Sequence, residues 1–195
     1  MKAIQIFVVV TGGIIVLGLF ALFLVGRRPG AGRVSATVEL GAPPAEVMPW
    51  LTEPSKLRRW VGWLAEVKGD TSAAVAGRKQ EWVMDDGKSG ALTMSIELTG
   101  YAPPDSMRAR LTVPGLVEGD NRYVLEDLLA GTRLTVTGQY RHPNPMIALL
   151  EPLATPEAQA KLRTDLARLR EAIAASADTT PGAPAAAGDS LAAPN

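Results

Sequence analysis

Ala42 to Leu64 reads APPAEVMPWLTEPSKLRRWVGWL, and this stretch decides how the chain folds. It holds Trp50, Trp60 and Trp63, three of the four tryptophans. Three uses compete for such a cluster: a ligand cage, a membrane-surface anchor, or the packing of a small helical element. The spacing favours the last. Pro43 and Pro44 suit the start of a helix, and Val47 with Trp50–Leu51 falls at helical intervals. Pro54 restarts the pattern, with Leu57 and Trp60–Val61 on one side. The stretch therefore predicts two short helices with a break at Thr52–Pro54.

The flanks change period. Upstream, RVSATVEL alternates Val34, Ala36, Val38 and Leu40 with polar residues, the mark of a half-buried strand. Downstream come further strand patterns: WLAEVKG, KQEWVMDD, ALTMSIELTGY, MRARLTV, NRYVLEDLL and RLTVTGQYRH. Asp85-Asp86-Gly87-Lys88 predicts a tight hairpin between the second and third of these. Each long strand has one apolar and one polar face, as in an antiparallel sheet covered on one side. The cover comes from the last periodic segment, where Leu162, Leu166, Leu169 and Ile173 form a helical stripe. Thr155 suits the N-cap and Pro156 the first helical position, with Pro152 separating an earlier turn, Met146 to Leu150. Lys161, Asp165, Arg168 and Glu171 fall on the opposite, charged face. The fold class is α+β, with helices on one face of the sheet.

Both ends are appendages. Residues 4–25 carry no charge, and sixteen of them are Ile, Val, Leu or Phe. As a helix this run spans about 33 Å at about 1.5 Å per residue, enough to cross a bilayer core. It exceeds the length of a signal-peptide core, and no convincing small-x-small cleavage site follows Val25, so an uncleaved anchor is expected over residues 1–27. Residues 28–32 form a linker and 33–175 the folded domain. Residues 176–195 are an Ala/Pro-rich tail whose composition predicts disorder. Arg27, Arg28 and Arg33 outweigh Lys2 and the amino terminus by about one charge, which favours a single-pass protein with its domain in the cytoplasm. An outward-facing domain is the alternative.

Composition removes whole classes of function. Twenty basic and twenty acidic residues cancel, so no global field draws nucleic acid. There is no cysteine and one histidine, His142, which excludes thiol chemistry, thiolate metal sites and a histidine metal cluster within one chain. There is no Gly-rich phosphate loop and no nucleophile elbow. No metal or cofactor is expected.

The order of elements resembles the START-like superfamily, the polyketide cyclase/dehydrase and lipid-transport or Bet v 1-like (SRPBCC) group. The resemblance covers Arg33 to about Ser176. Its carriers are the opening strand, APPAEVMPWLTEPSKLRRW, GYAPPDSMRARL, AGTRLTVTGQYR and the closing amphipathic helix. It implies a helix-grip fold: a curved antiparallel sheet wrapped on the terminal helix, with a cavity between them. Members bind lipids, sterols, quinones or polyketides; some catalyse cyclisation, and others act in protein complexes. No universal catalytic set exists to carry over.

Within that frame, Trp50 and Trp60 are expected as packing anchors at one end of the cavity. Trp60, Trp63, Trp82, Tyr123 and Tyr140 are the expected cavity-lining residues. Tyr101 offers a further hydroxyl. The leading function is membrane-tethered binding of a hydrophobic small molecule or lipid. A cyclase or dehydratase is the alternative, and it needs an inward acid/base group, for which Tyr140 or Asp127 is the first candidate. A non-catalytic, chaperone-like module using the charged outer face of the sheet, with Glu97, Arg108, Arg110 and Arg133, is the third; its protein partner is open.

Overall fold

The structure, a computed structural model, describes residues 17–21, 24, 32–87, 90–148 and 150–178. The chain opens with β1 (Arg33–Leu40), then α1 (Pro44–Thr52) and α2 (Pro54–Trp60). Six strands follow: β2 (Leu64–Gly69), β3 (Lys79–Met84), β4 (Leu92–Ala102), β5 (Ser106–Val113), β6 (Val117–Leu128) and β7 (Gly131–Arg141). A short α3 (Pro145–Ala148) leads into the long α4 (Glu151–Asp178).

The seven strands form one sheet in the order β1-β7-β6-β5-β4-β3-β2, and every neighbouring pair is antiparallel. β1 and β2 are therefore opposite edges, and α1–α2 carries the chain from one edge to the other. From β2 the strands return one by one until β7 lies beside β1. The register keeps apolar residues together on one face: Ile96 opposite Leu111, Met107 opposite Tyr123, Leu125 opposite Leu134. Because side chains alternate faces along a strand, this register sends the charged residues outward. There Arg133 pairs with Glu39 at 3.0 Å and Glu126 at 3.6 Å, and Arg110 with Asp120 at 3.2 Å.

α4 covers the apolar face, packing on β1 and α2. Leu166, Leu169 and Ile173 share one buried cluster with Val47, Trp50, Leu57 and Trp60 of α1–α2 and with Leu134 and Val136 of β7. Both tryptophans are buried, and each such ring removes about 150–250 Å² from water. The Trp60 indole N–H donates to the Trp50 carbonyl at 2.8 Å, which ties the two short helices together across their break.

Four details differ from the sequence expectations. α4 starts at Glu151 rather than at Thr155–Pro156. The Ala154 N–H donates to Leu150 O at 3.1 Å, and the Thr155 hydroxyl donates back to Glu151 O at 3.0 Å instead of capping. The added turn thus satisfies its backbone despite Pro156. At its other end α4 runs to Asp178, beyond the expected limit of 175, with the Ser176 hydroxyl donating to Ile173 O at 2.7 Å. β3 and β4 are joined by a seven-residue connection, 85–91, because Met84 pairs with Leu92. Asp85 accepts from the Gly87 N–H at 2.8 Å, so the Asp-Gly signal marks a local turn within a longer loop. β6 begins at Val117, four residues before Asn121. The expected anchor lies largely outside the described residues, as does 179–195. Residues 17–21 and 24 are helical and exposed, and among the described residues no helix is long and apolar enough to cross a membrane.

Candidate functional site

Between the sheet, α2 and α4 lies an inner cavity of about 200 Å³. Leu57 and Trp60 enter it from α2, Trp82 and Met84 from β3, Ile96 and Leu98 from β4, and Met107 from β5. Its polar atoms come from Arg78, Gln80, Asn121, Tyr123 and Lys161. A second chamber of about 350 Å³ runs between the sheet and the first turns of α4, lined by Val34, Val113, Val117, Tyr140 and Ala158, with Trp63 at its rim. Met84, Met94, Leu111 and Lys161 belong to both walls. Two of these four are methionine, which is unbranched and readily changes rotamer. Together the chambers reach the roughly 300–1,000 Å³ of small-molecule sites.

The five expected lining residues divide between the chambers. Trp60, Trp82 and Tyr123 face the inner one; Trp63 and Tyr140 face the second. Tyr140 follows Leu134 and Val136 onto the inward face of β7. Room for its ring comes from two glycines: a Cβ on Gly119 would collide with the ring, and one on Gly138 would sit 2.6 Å from the hydroxyl. That hydroxyl donates to Asn121 Oδ1 at 2.9 Å. Burial raises the pKa of both Tyr123 and Tyr140, against the opposing hydrogen bonding of Asn121. Both remain neutral phenols, hydrogen-bond donors rather than bases, at ordinary pH. The Trp82 indole N–H donates to Gln80 Oε1 at 3.3 Å, so its polar edge is already occupied. Tyr101 lines an outer groove instead, with Pro49, Thr52 and Arg78.

The mouth of the second chamber is built on α4. Asp165 is 6% exposed, not on a solvated face. Its Oδ1 accepts the Gly62 N–H at 3.0 Å and its Oδ2 pairs with Lys161, so it fastens the α2–β2 connection to α4. The Lys161 ammonium lies 4.9 Å from the centre of the Trp63 ring. Residues 162 and 169 lie three and four positions from 165 on the helix, so Asp165 borders the apolar stripe and is buried with it.

Sequence reasoning also missed Arg78, Gln80 and Glu151. Arg78 and Gln80 stand at the start of β3, and both are buried. Arg78 donates to Ser72 O at 2.8 Å and Thr52 O at 2.9 Å; Gln80 donates to Asp70 O at 2.9 Å. Glu151 opens α4 and is buried in the wall of the second chamber, beside Gly32 and near His142. His142 Nδ1 lies 2.8 Å from Leu116 O; a carbonyl only accepts, so Nδ1 carries the proton. Asp127, the expected inward carboxylate, is exposed, and Glu126 faces Arg133 on the outer side.

The sequence pattern of one family, polyketide cyclase / dehydrase and lipid transport, matches residues 31–174. The chain belongs to this family. Solved structures share the family fold at low identity. A Nitrosomonas europaea protein is 18% identical, with 76% of this chain and 98% of that chain covered and a TM-score of 0.60. A conserved protein of Geobacillus kaustophilus is 19% identical over 74% of this chain and 96% of that one, TM-score 0.61. DynU16, from the dynemicin biosynthetic locus, is 19% identical over 74% of this chain and 48% of that one, TM-score 0.57. Among curated proteins, none matches the chain.

As a member of the polyketide cyclase/dehydrase and lipid transport family, the chain has an inner cavity with apolar walls and a few directed donors. The inner wall holds no carboxylate and no imidazole. Among the described residues no group of three or more His, Cys, Asp or Glu side chains is placed to hold a metal ion.

Proposed function

We propose that the chain binds a hydrophobic small molecule or lipid in its paired chambers and is held at a membrane by residues 4–25. One observation carries the binding reading. The space between sheet and α4 is not filled by side chains, and its walls are apolar except for a few convergent polar groups. That combination suits an apolar body with one oriented polar group. The family is named for both polyketide chemistry and lipid transport, and DynU16 comes from a biosynthetic locus, which is consistent with such ligands. The membrane reading rests on the uncharged run itself and on exposed Leu17, Leu19, Phe20 and Leu24, which no part of the folded domain covers. Native mass spectrometry with lipid extraction of the purified chain tests the binding reading. A co-purifying apolar molecule, or saturable uptake of an apolar fluorophore, is the expected result. A chain that carries nothing and takes up nothing would overturn it.

A cyclase or dehydratase reading gains one specific feature, the buried Glu151 on the wall of the second chamber, which His142 and Tyr140 also line. Glu151→Gln should then abolish turnover of a polyketide-like substrate while leaving its binding in place. Equal turnover by the variant would remove this reading.

A further inference from the structure

Arg78 is the least expected side chain in the inner cavity. It is 7% exposed, and a guanidinium stays protonated in proteins. Burial lowers its pKa somewhat, with Asp70 and Tyr101 opposing. Its hydrogen bonds go to two neutral carbonyls, Ser72 O and Thr52 O, on the side of the outer groove that Arg78 also lines. Among the described residues no carboxylate lies within 4.0 Å of it. Asp70, whose field favours the charged guanidinium, accepts the Ser72 N–H at 2.9 Å rather than pairing directly with Arg78. A buried charge is ordinarily matched by an opposite one, because desolvation costs more than neutral partners return.

The rest of the wall sharpens the imbalance. The charged side chains lining the inner cavity are Arg78 and Lys161, both cations, and no Asp or Glu lines it. Lys161 is neutralised by Asp165. Arg78 is left with a buried positive charge and, of five N–H donors, two bonded to the carbonyls above. A carboxylate matches a guanidinium fork through two parallel hydrogen bonds and is small enough to enter with an apolar body.

We propose that the inner cavity takes an apolar carboxylic acid as its anion, with Arg78 as the counter-ion and the Trp60–Trp82–Met107 walls holding the apolar body. The inference rests on the cavity-binding reading above and names the class of ligand. At about 200 Å³ the inner chamber suits an aromatic or short aliphatic body. A longer chain passes between Met84 and Met94 into the second chamber. The competing role for Arg78 is structural: a cation on the last carbonyl of α1, which the helix dipole favours.

A matched pair of probes separates the two roles. 2-Naphthoic acid and 2-naphthamide differ in charge and little in shape. Titrated calorimetrically into the purified full-length chain at neutral pH, the acid should bind at least tenfold more tightly. Arg78→Gln should remove that preference while leaving the amide affinity within about threefold, and Arg78→Lys should restore part of it. Equal binding of acid and amide to the unaltered chain overturns the proposal but leaves the cavity reading standing. So does an undiminished preference in Arg78→Gln. Binding of neither probe overturns both. Should Arg78→Gln fail to fold, the acid-to-amide ratio of the unaltered chain decides, with Arg78→Lys as the second variant.

Discussion

Trp63 holds a φ of +70°, a conformation that bulky L-residues avoid because Cβ meets the backbone. Its neighbours hold it there. The Gly62 N–H is bound to Asp165, the Trp63 carbonyl accepts the Asp85 N–H at 2.7 Å, and the ring faces Lys161. Such strain costs on the order of 1–3 kcal/mol and persists where surrounding contacts over-determine it, most often at functional sites. Trp63 is 56% exposed at the rim of a chamber, so packing alone does not explain a tryptophan here. Replacing it by Gly or by Ala removes the same ring and leaves a difference in backbone cost alone. Trp63→Gly should be more stable than Trp63→Ala by about 1 kcal/mol in urea unfolding, the reverse of the ordinary order, because Gly accepts positive φ freely. An Ala variant as stable as the Gly variant would show that the backbone is not held in this conformation. Nothing local in Gly62-Trp63 signals the strain, since the groups that impose it lie at Asp85, Lys161 and Asp165. Arg78 was illegible for the same reason. An arginine before a strand reads as solvated, and its burial depends on carbonyls 6 and 26 residues away. Tyr140, by contrast, was legible, because strand alternation places it on the face of Leu134 and Val136.

At the scale of elements, periodicity carried most of the fold. Alternation in β1, β5 and β7 and the Leu162–Leu166–Leu169–Ile173 stripe each reflect one buried face, and a buried face is a property of the local sequence. Ends were less legible, since they depend on which backbone groups find partners. The start of α4 turns on Leu150 O and the Thr155 hydroxyl, and Pro156 hid it by mimicking a first helical residue. The stripe also sets a contrast in stability. Leu169 is fully buried in the common cluster, so Leu169→Ala should cost about 2–5 kcal/mol through lost transfer energy and a residual cavity. Leu153 on the same helix is 63% exposed, and Leu153→Ala should stay within about 0.5 kcal/mol of the parent. Urea unfolding of both variants checks this. Similar losses at the two sites would mean that α4 does not grip the sheet through this stripe.

For the whole molecule, the buried cluster, among the described residues, draws only on elements between β1 and α4. The uncharged run at 4–25 is the proposed membrane anchor. Its sixteen large apolar residues each favour the bilayer by roughly 0.3–0.6 kcal/mol, which outweighs Gln5, Thr11 and the glycines by several kcal/mol. The proposed tethering would also answer a supply problem for the cavity. Apolar ligands dissolve sparingly in water and concentrate in the bilayer, and a short linker keeps the domain at that surface, where the effective ligand concentration is highest. Anchoring and binding should thus be separable in place but coupled in rate. The full chain should remain with the membrane fraction through an alkaline carbonate wash. A chain lacking residues 1–31 should move to the supernatant and bind an apolar fluorophore with unchanged affinity. With that fluorophore supplied in vesicles, the truncated chain should load more slowly than the tethered one, while both reach the same occupancy. A full chain released by carbonate would remove the anchor; equal loading rates would leave the anchor in place but remove its role in delivering ligand.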